Sequence, residues 1–282
     1  MPEGPEVRAL VDKLKRKYKN KKITSIEILN GKYKKKTIKN LDKIKYPLTI
    51  DNIDCKGKFI YWTFKNTDIV MFNTLGMTGW WVEKNNDFSR PKHNNVLFKI
   101  GGVNVYFNDF RNFGNIIFCY QDNLNKKLKE LGPDILNIVD NVELFLKRIE
   151  KKRSDTLIAT ALLDQKVACG CGNYLRAEVL YLCKISPYRE IGNMTRDELI
   201  LLWTNLKKIG WYYYNEDKAI KLNIINKTFI KTIEYKSKKV GPSNYKPNTF
   251  MVYRQDYDPL GNKVTSEKIK DRMIHYVKKI QK

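Results

Sequence analysis

The sequence predicts an α+β chain: an amino-terminal helix leading a β-sandwich, then a helical domain, then a closing β-hairpin. Three observations predict it. Apolar side chains recur at helical spacing in the opening segment, short apolar runs follow from Ile23 to about Phe118, and helical spacing returns beyond about residue 141, with β character again from Phe250. With 282 residues, 42% of them hydrophobic, the chain is long enough for two modest domains, each with its own core.

In the first helix Val7, Leu10, Val11, Leu14 and Tyr18 share one face, while Lys13, Lys15, Lys17 and Lys19 fall elsewhere. The runs Phe59–Phe64 and Ile69–Phe72 are short, apolar and rich in β-formers. Val96, Phe98 and Ile100 alternate before Gly101-Gly102, and Val103, Val105 and Phe107 alternate after it, which is a hairpin with a strong turn signal. A sandwich over 1–121 is expected. Residues 122–140 are polar, contain Gly132-Pro133, and read as a linker.

A helical domain is then expected over 141–248. Val142, Phe145, Leu146 and Ile149 mark one helix; Leu157, Ile158, Ala161 and Leu162 mark a second. The break Cys169–Asn173 precedes a third helix with Leu175, Val179 and Leu182, which Asn173 suits as N-cap. Thr195–Glu198 is a capping box opening a fourth, with Leu199, Leu202, Trp203, Leu206 and Ile209 on one face. In the tail, 249–282, Phe250–Tyr253, a turn at Pro259–Asn262 and Arg272–Val277 read as a β-hairpin.

Lys and Arg number 54 against 30 Asp and Glu, a formal charge of +24. Codon bias toward lysine would leave the acids roughly matched, and they are not. The excess points to a polyanionic partner, first of all nucleic acid. No apolar run approaches bilayer length, and MPEGPEVRAL carries no apolar segment behind a basic cap, so an intracellular protein is expected, with no membrane partner. The five cysteines (55, 119, 169, 171 and 183) form no Cys-x-x-Cys pair, and His93 and His275 are the only histidines. No four-ligand zinc site can be assembled at ordinary spacing, and neither metal nor cofactor is expected.

The amino terminus carries the chemistry. With Met1 removed, Pro2 presents a secondary amine. A generic α-amino group has a pKa of about 8 against about 10.4 for lysine, so far more of it is unprotonated at neutral pH. Such an amine can attack an anomeric carbon and form an iminium. Pro2 alone could simply follow an initiator methionine; the adjoining Glu3 and Glu6 favour catalysis. Glu3 is the candidate acid/base. Glu6 is either a supporting carboxylate or a first-turn acid complementing the helix dipole.

Met1-Pro-Glu-Gly-Pro-Glu-Val-Arg8 resembles the amino terminus of the Fpg/Nei family of DNA glycosylases, in its endonuclease VIII-like branch. Four further pieces follow in the family's order: Lys56-Gly-Lys58-Phe, Leu75–Gly79, Asn108–Gly114 and Gly172–Glu178. The resemblance spans nearly the whole chain. It implies a helix–two-turn–helix domain, DNA in a cleft between the domains, and excision of oxidised bases, pyrimidines favoured, through a Pro2 iminium with β,δ-elimination. It makes Pro2, Glu3 and Lys58 the catalytic set. Met77, Arg111 and Phe113 fill the void left by the flipped nucleotide, a role that suits a pliable apolar chain, a guanidinium and an aromatic ring. Lys58, Asn173, Arg272 and His93 grip phosphates, Asn173 from a helix N-terminus.

Plainer roles stand beside these. Met77 and Phe113 could be core, Asn173 a simple cap, Lys58 a solvated charge and His93 a loop residue. One departure is clear: the tail lacks the four cysteines of the family's zinc finger. It resembles the zincless finger of some endonuclease VIII-like proteins, in which Phe250, Val252, Ile274 and Tyr276 supply the packing. A base-facing loop is expected within Lys236–Asn248. The expected partner is damaged double-stranded DNA, with single-stranded DNA second to it, and the expected state is a monomer. A damage-binding protein without catalysis would keep the basic surface and the wedge, but has no use for Glu3 beside Pro2. A nonspecific nucleic-acid coat would bind with no preference for damage.

Overall fold

The computed structural model describes residues 2–83, 91–139, 141–233 and 250–282, and the chain divides into two compact units, Met1–Glu130 and Leu131–Lys282. Met1 and the base-facing loop expected within Lys236–Asn248 lie outside the described residues.

The first unit opens with helix α1 (Gly4–Tyr18), whose buried face is the one expected: Val7, Leu10, Val11, Leu14 and Tyr18. Pro5 sits in its first turn, where the missing N–H costs nothing. The strands are β1 (Lys22–Ile28), β2 (Leu48–Lys56), β3 (Phe59–Phe64), β4 (Ile69–Thr74), β5 (Gly79–Glu83), β6 (Asn94–Ile100), β7 (Val103–Asp109) and β8 (Asn115–Tyr120). They pair antiparallel in the order β5-β7-β6-β1-β2-β3-β4-β8.

The link between β1 and β2 is thin, only Lys22↔Thr49 and Ile23↔Leu48, and there the sheet folds into two four-stranded layers. Trp62 of β3 and Trp81 of β5, far apart in strand order, meet at 5.2 Å, and Trp81 Nε1 donates to Asn73 Oδ1 of β4 at 2.9 Å. This is the expected sandwich. Each fully buried Val, Leu, Ile or Phe contributes about 1.5–3 kcal/mol relative to exposure, so the shared core outweighs any single polar tie. The β6–β7 hairpin turns at Gly101-Gly102, with Ile100 opposite Val103.

The reading of 122–140 as a linker is corrected. Helix α2 (Gln121–Glu130) occupies its first half, burying Leu124. In its second half the backbone is built into the second unit: Gly132 N–H donates to Gln165 O at 2.9 Å and Cys169 N–H to Pro133 O at 2.9 Å, and Ile135 is buried. Leu124 and Leu128, at i and i+4, carry the helical spacing of α2.

The second unit holds α3 (Val142–Glu150), the single turn α4 (Ile158–Ala161), α5 (Asn173–Leu182), α6 (Arg196–Lys221) and α7 (Lys227–Ile233), then β9 (Thr265–Ile269) and β10 (Arg272–Tyr276). The expected capping box opens α6: Glu198 N–H donates to Thr195 Oγ1 and Thr195 N–H to Glu198 Oε2. Leu199, Leu202, Trp203, Leu206 and Ile209 are all buried on that helix, which kinks at Asn215. The α+β architecture is as expected.

Two local readings are corrected. Asn173 is the first residue of α5, and Gly172 occupies the cap position. The terminal hairpin pairs β9 with β10 across Lys270-Asp271, not Phe250–Tyr253 with Arg272–Val277. Backbone N–H groups of Met251, Val252 and Tyr253 donate instead to the Glu178 carboxylate, at 2.6, 2.9 and 2.9 Å, so no ladder is available to them. The turn expected at Pro259–Asn262 is present, with Asp258 Oδ1 accepting from the N–H groups of Leu260 and Asn262.

Candidate active site and nucleic-acid interface

The strand register gathers the catalytic and wedge candidates of the first unit at one end of the sandwich. Lys56 pairs with Phe59, Phe59 with Thr74, and Thr74 with Asn115. The Gly57-Lys58 turn, the loop Leu75–Thr78 and the loop Phe110–Gly114 therefore leave the sheet at the same level. Gly79 opposite Asp109 and Asn94 opposite Asn108 bring His93 to that end too. Lys58 thus lies in a two-residue turn between β2 and β3, which Gly57 closes with its positive φ (55°).

Helix α1 delivers Pro2 and Glu3 to this end. Its far end is tied by Asn20 N–H to Ile50 O (2.9 Å) and by Lys17 Nζ to Glu83 Oε2 (2.6 Å). Toward its start, Arg8 Nη2 donates to Asp54 Oδ1 and to Cys55 O, both at 2.7 Å. Glu3 lies five residues earlier, about 7.5 Å along the axis, enough to reach the level of the β2–β3 turn. Glu3 is buried, 1% exposed, and Pro2 is half-buried. Glu6 Oε2 accepts the Glu3 N–H at 2.8 Å in a capping box, so Glu6 has a structural task at the helix start.

The two loops that carry the wedge candidates are hydrogen-bonded into one piece. Asp109, 1% exposed, is the staple: its Oδ1 accepts from Thr78 Oγ1 (2.6 Å) and its Oδ2 from Gly114 N–H (2.6 Å). Thr78 Oγ1 also accepts the Arg111 N–H at 3.0 Å. Asn112, in the left-handed region at φ 58°, accepts through Oδ1 from Asn95 Nδ2 (2.9 Å) and Lys32 N–H (3.2 Å). Gly76 lets the loops touch: a Cβ there would stand 2.6 Å from the backbone of Phe113. Lys32 Nζ donates to Gly114 O, and burial pushes this ammonium below its ordinary pKa against the pull of Asp109.

What remains outward is Arg111, exposed, with its guanidinium 4.8 Å over the Phe113 ring, and Phe113 itself, 55% exposed. Phe113 is thus not core, and Met77 is half-buried. His93 is half-buried with its ring edge-to-face on Phe110, centroids 4.7 Å apart. Thr78, Asp109, Asn112 and Asn95 escaped the sequence reading, because their roles are hydrogen bonds across strands distant in sequence.

In the second unit, Asn173 and Arg272 are brought together. Asn173 Nδ2 donates to Met273 O at 2.8 Å, as does Arg176 Nη2 at 2.9 Å, which sets exposed Arg272 beside the amino-terminal turn of α5. Backbone N–H groups at that helix start suit an anion. The finger is tied to α5 at two further levels. Glu178, fully buried, takes the three N–H groups named above and the Tyr213 hydroxyl at 3.3 Å, and Tyr181 OH donates to Asp258 Oδ2 at 3.0 Å. Burial pushes the Glu178 carboxyl above its ordinary pKa, opposed by these four donors. Val252, Ile274 and Tyr276 are buried, and Phe250 packs against them half-buried.

Among the described residues no group of three or more His, Cys, Asp or Glu side chains is placed to hold a metal ion, and no helix is long and apolar enough to cross a membrane. With no cysteine beyond Cys183 in the sequence, EDTA is expected to leave the melting temperature unchanged, and a lowered Tm on chelation that zinc restores would overturn that expectation.

Comparison with known proteins agrees with this geometry. Residues 1–116 match the formamidopyrimidine-DNA glycosylase N-terminal domain, residues 131–210 its H2TH domain and residues 243–282 its C-terminal domain. A formamidopyrimidine-DNA glycosylase of Wolbachia sp. subsp. Brugia malayi is 30% identical over 208 residues, covering 73% of this chain and 76% of its own. One of Ligilactobacillus salivarius is 32% identical over 216 residues, covering 74% and 75%. The structure of the Lactococcus lactis enzyme bound to DNA containing an AP site superposes with a TM-score of 0.76 at 25% identity, covering 99% of both chains. The same enzyme with DNA containing an oxidised pyrimidine gives 0.74 at 25% identity, again over 99% of both. By its three matched domains, its relatives and its fold, this chain belongs to the formamidopyrimidine-DNA glycosylase (Fpg/Nei) family.

Proposed function

We propose that the protein is a bifunctional DNA glycosylase and abasic-site lyase of base excision repair, acting on oxidised bases in duplex DNA. The observation that carries this reading is the buried Glu3 carboxyl, directly after Pro2, at the end of the sandwich where the Lys58 turn and the two stapled loops emerge. Family membership and the DNA complexes of its relatives support the same chemistry.

With Met1 removed, the Pro2 nitrogen attacks C1′ of the flipped nucleotide, the bond to the oxidised base breaks, and the base leaves with the proton that the Pro2 nitrogen gives up. Glu3 protonates the sugar ring oxygen, the ring opens, and an iminium forms between Pro2 and C1′. Glu3, now a carboxylate, takes the C2′ proton as the 3′ phosphate is expelled, a second elimination expels the 5′ phosphate, and water releases Pro2. Lys58, Asn173, Arg272 and His93 hold backbone phosphates, while Met77, Arg111 and Phe113 occupy the void. Oxidised pyrimidines are the favoured bases, supported by the endonuclease VIII-like opening and by the relative seen with such a lesion. Damaged duplex is the first substrate and single-stranded DNA the second, and the enzyme acts as a monomer.

The test is borohydride trapping on a labelled duplex carrying an abasic site or thymine glycol. A covalent adduct mapping to Pro2 is expected. A chain extended by Gly-Ser ahead of Pro2, which turns that nitrogen into an amide, is expected to give none. Selective binding of damaged duplex without adduct or nicking would reduce the protein to a damage-recognition factor. Binding without any preference for damage would leave only a nucleic-acid coat.

A further inference from the structure

Among the described residues only two phenylalanines stand exposed, Phe110 (52%) and Phe113 (55%), and both belong to the loop stapled by Asp109. The family resemblance gives Phe113 a task and leaves Phe110 none. Its exposure does not come from a slack loop. The backbone is held on one side by Asn95 Nδ2 to Asp109 O (3.1 Å) and on the other by Arg111 N–H to Thr78 Oγ1. A ring held facing solvent by its own backbone, beside the wedge candidates, has an apolar face open for a partner to bury.

The second observation is the partner of that ring. His93 comes from the short turn Pro91–His93 ahead of β6, and its imidazole meets Phe110 edge-to-face at 4.7 Å with 74° between the planes. Arg111 and Phe113 form the matching pair on the other side of the loop, at 4.8 Å. Each of the loop's two exposed rings thus has one side-chain contact, Phe110 with His93 and Phe113 with Arg111, and only the second is accounted for by void filling.

We propose that Phe110 is a second aromatic contact to the DNA and the positioning residue for His93. Its open face packs on the sugar and base of a nucleotide beside the flipped one, and its edge contact holds the imidazole toward the adjoining phosphate. The contact is sequence-tolerant, since every base offers a π-face, which suits an enzyme that must act in any sequence context. This inference rests on the wedge reading given under Proposed function.

The experiment is steady-state excision on a duplex carrying dihydrouracil, with Phe110→Ala, Phe110→Trp, His93→Ala, the Phe110→Ala/His93→Ala double variant, and Phe113→Ala as reference. Loss of one aromatic–base stack corresponds to about tenfold. Phe110→Ala is expected to raise KM by about that factor with kcat within about twofold, and Phe110→Trp to restore it. If Phe110 positions His93, the double variant is no worse than about the larger single effect; independent, multiplying effects would overturn that part. An unchanged KM in Phe110→Ala while Phe113→Ala impairs excision would end the proposal and leave the wedge intact. No effect from either would remove the wedge reading itself. Because Phe110 is exposed, unchanged thermal stability accompanies the expected result, and a lowered Tm that accounts for the loss would overturn it.

Discussion

Glu3→Gln is expected to lower excision of an oxidised base by about 10²–10⁴-fold, the range a positioned general acid supplies. The substitution is nearly isosteric, and a Gln side chain still presents a carbonyl oxygen to the helix start, so α1 and its capping box with Glu6 should persist. What is lost is the proton. Affinity for an uncleavable lesion duplex should stay within about twofold, which separates a chemical defect from a binding one. Trapping on a preformed abasic site should fall less than base excision, since some of that sugar is already ring-opened and needs no protonation to expose its aldehyde. Excision retained to within about tenfold would show that Glu3 is only a buried cap.

The second large effect is structural. Glu178→Ala removes the acceptor of three backbone N–H groups and the Tyr213 hydroxyl in a site closed to solvent. Each buried donor left unpaired costs about 1–3 kcal/mol, so the total is on the order of several kcal/mol out of a typical 5–15. A fall in Tm of at least about 6 °C is expected for a unit of this size. Limited proteolysis should then cut first near Phe250–Tyr253, and lesion-duplex affinity should drop with it, because Arg272 is carried by the hairpin that this segment anchors. Unchanged Tm and unchanged affinity would mean that apolar packing around Val252 and Ile274 holds the finger by itself. Glu178 thus cross-links α5 to the segment Met251–Tyr253 that precedes the terminal hairpin.

Elements governed by local rules were legible from the residues. The α1 face, the β6–β7 hairpin and the Thr195–Glu198 box depend on spacing within a few positions, and each formed as expected. Where the reading failed, a distant group had intervened. Phe250–Tyr253 has strand-like residues, yet its donors go to Glu178, more than seventy positions earlier. Residues 122–140 read as a linker because the polar residues between the leucines mask the helical spacing of α2. Phe110 draws no role from the sequence, since residues alone do not tell whether a loop aromatic is buried or faces water; here both Phe110 and Phe113 face it.

The sequence by itself determined the fold class, the family, the basic character that suits DNA, and the identity of the Pro2–Glu3 pair. These follow from periodicity, composition and contiguous motifs, which are properties of the chain before it folds. Tertiary structure alone decided that Glu3 is buried, that Lys58 sits in a turn, that Asp109 locks the loops Leu75–Thr78 and Phe110–Gly114 together, and that a carboxylate on α5 anchors the segment Met251–Tyr253. Those facts depend on strand register and on which buried donors find acceptors, and both are settled only when residues far apart in sequence compete for the same partners as the core closes.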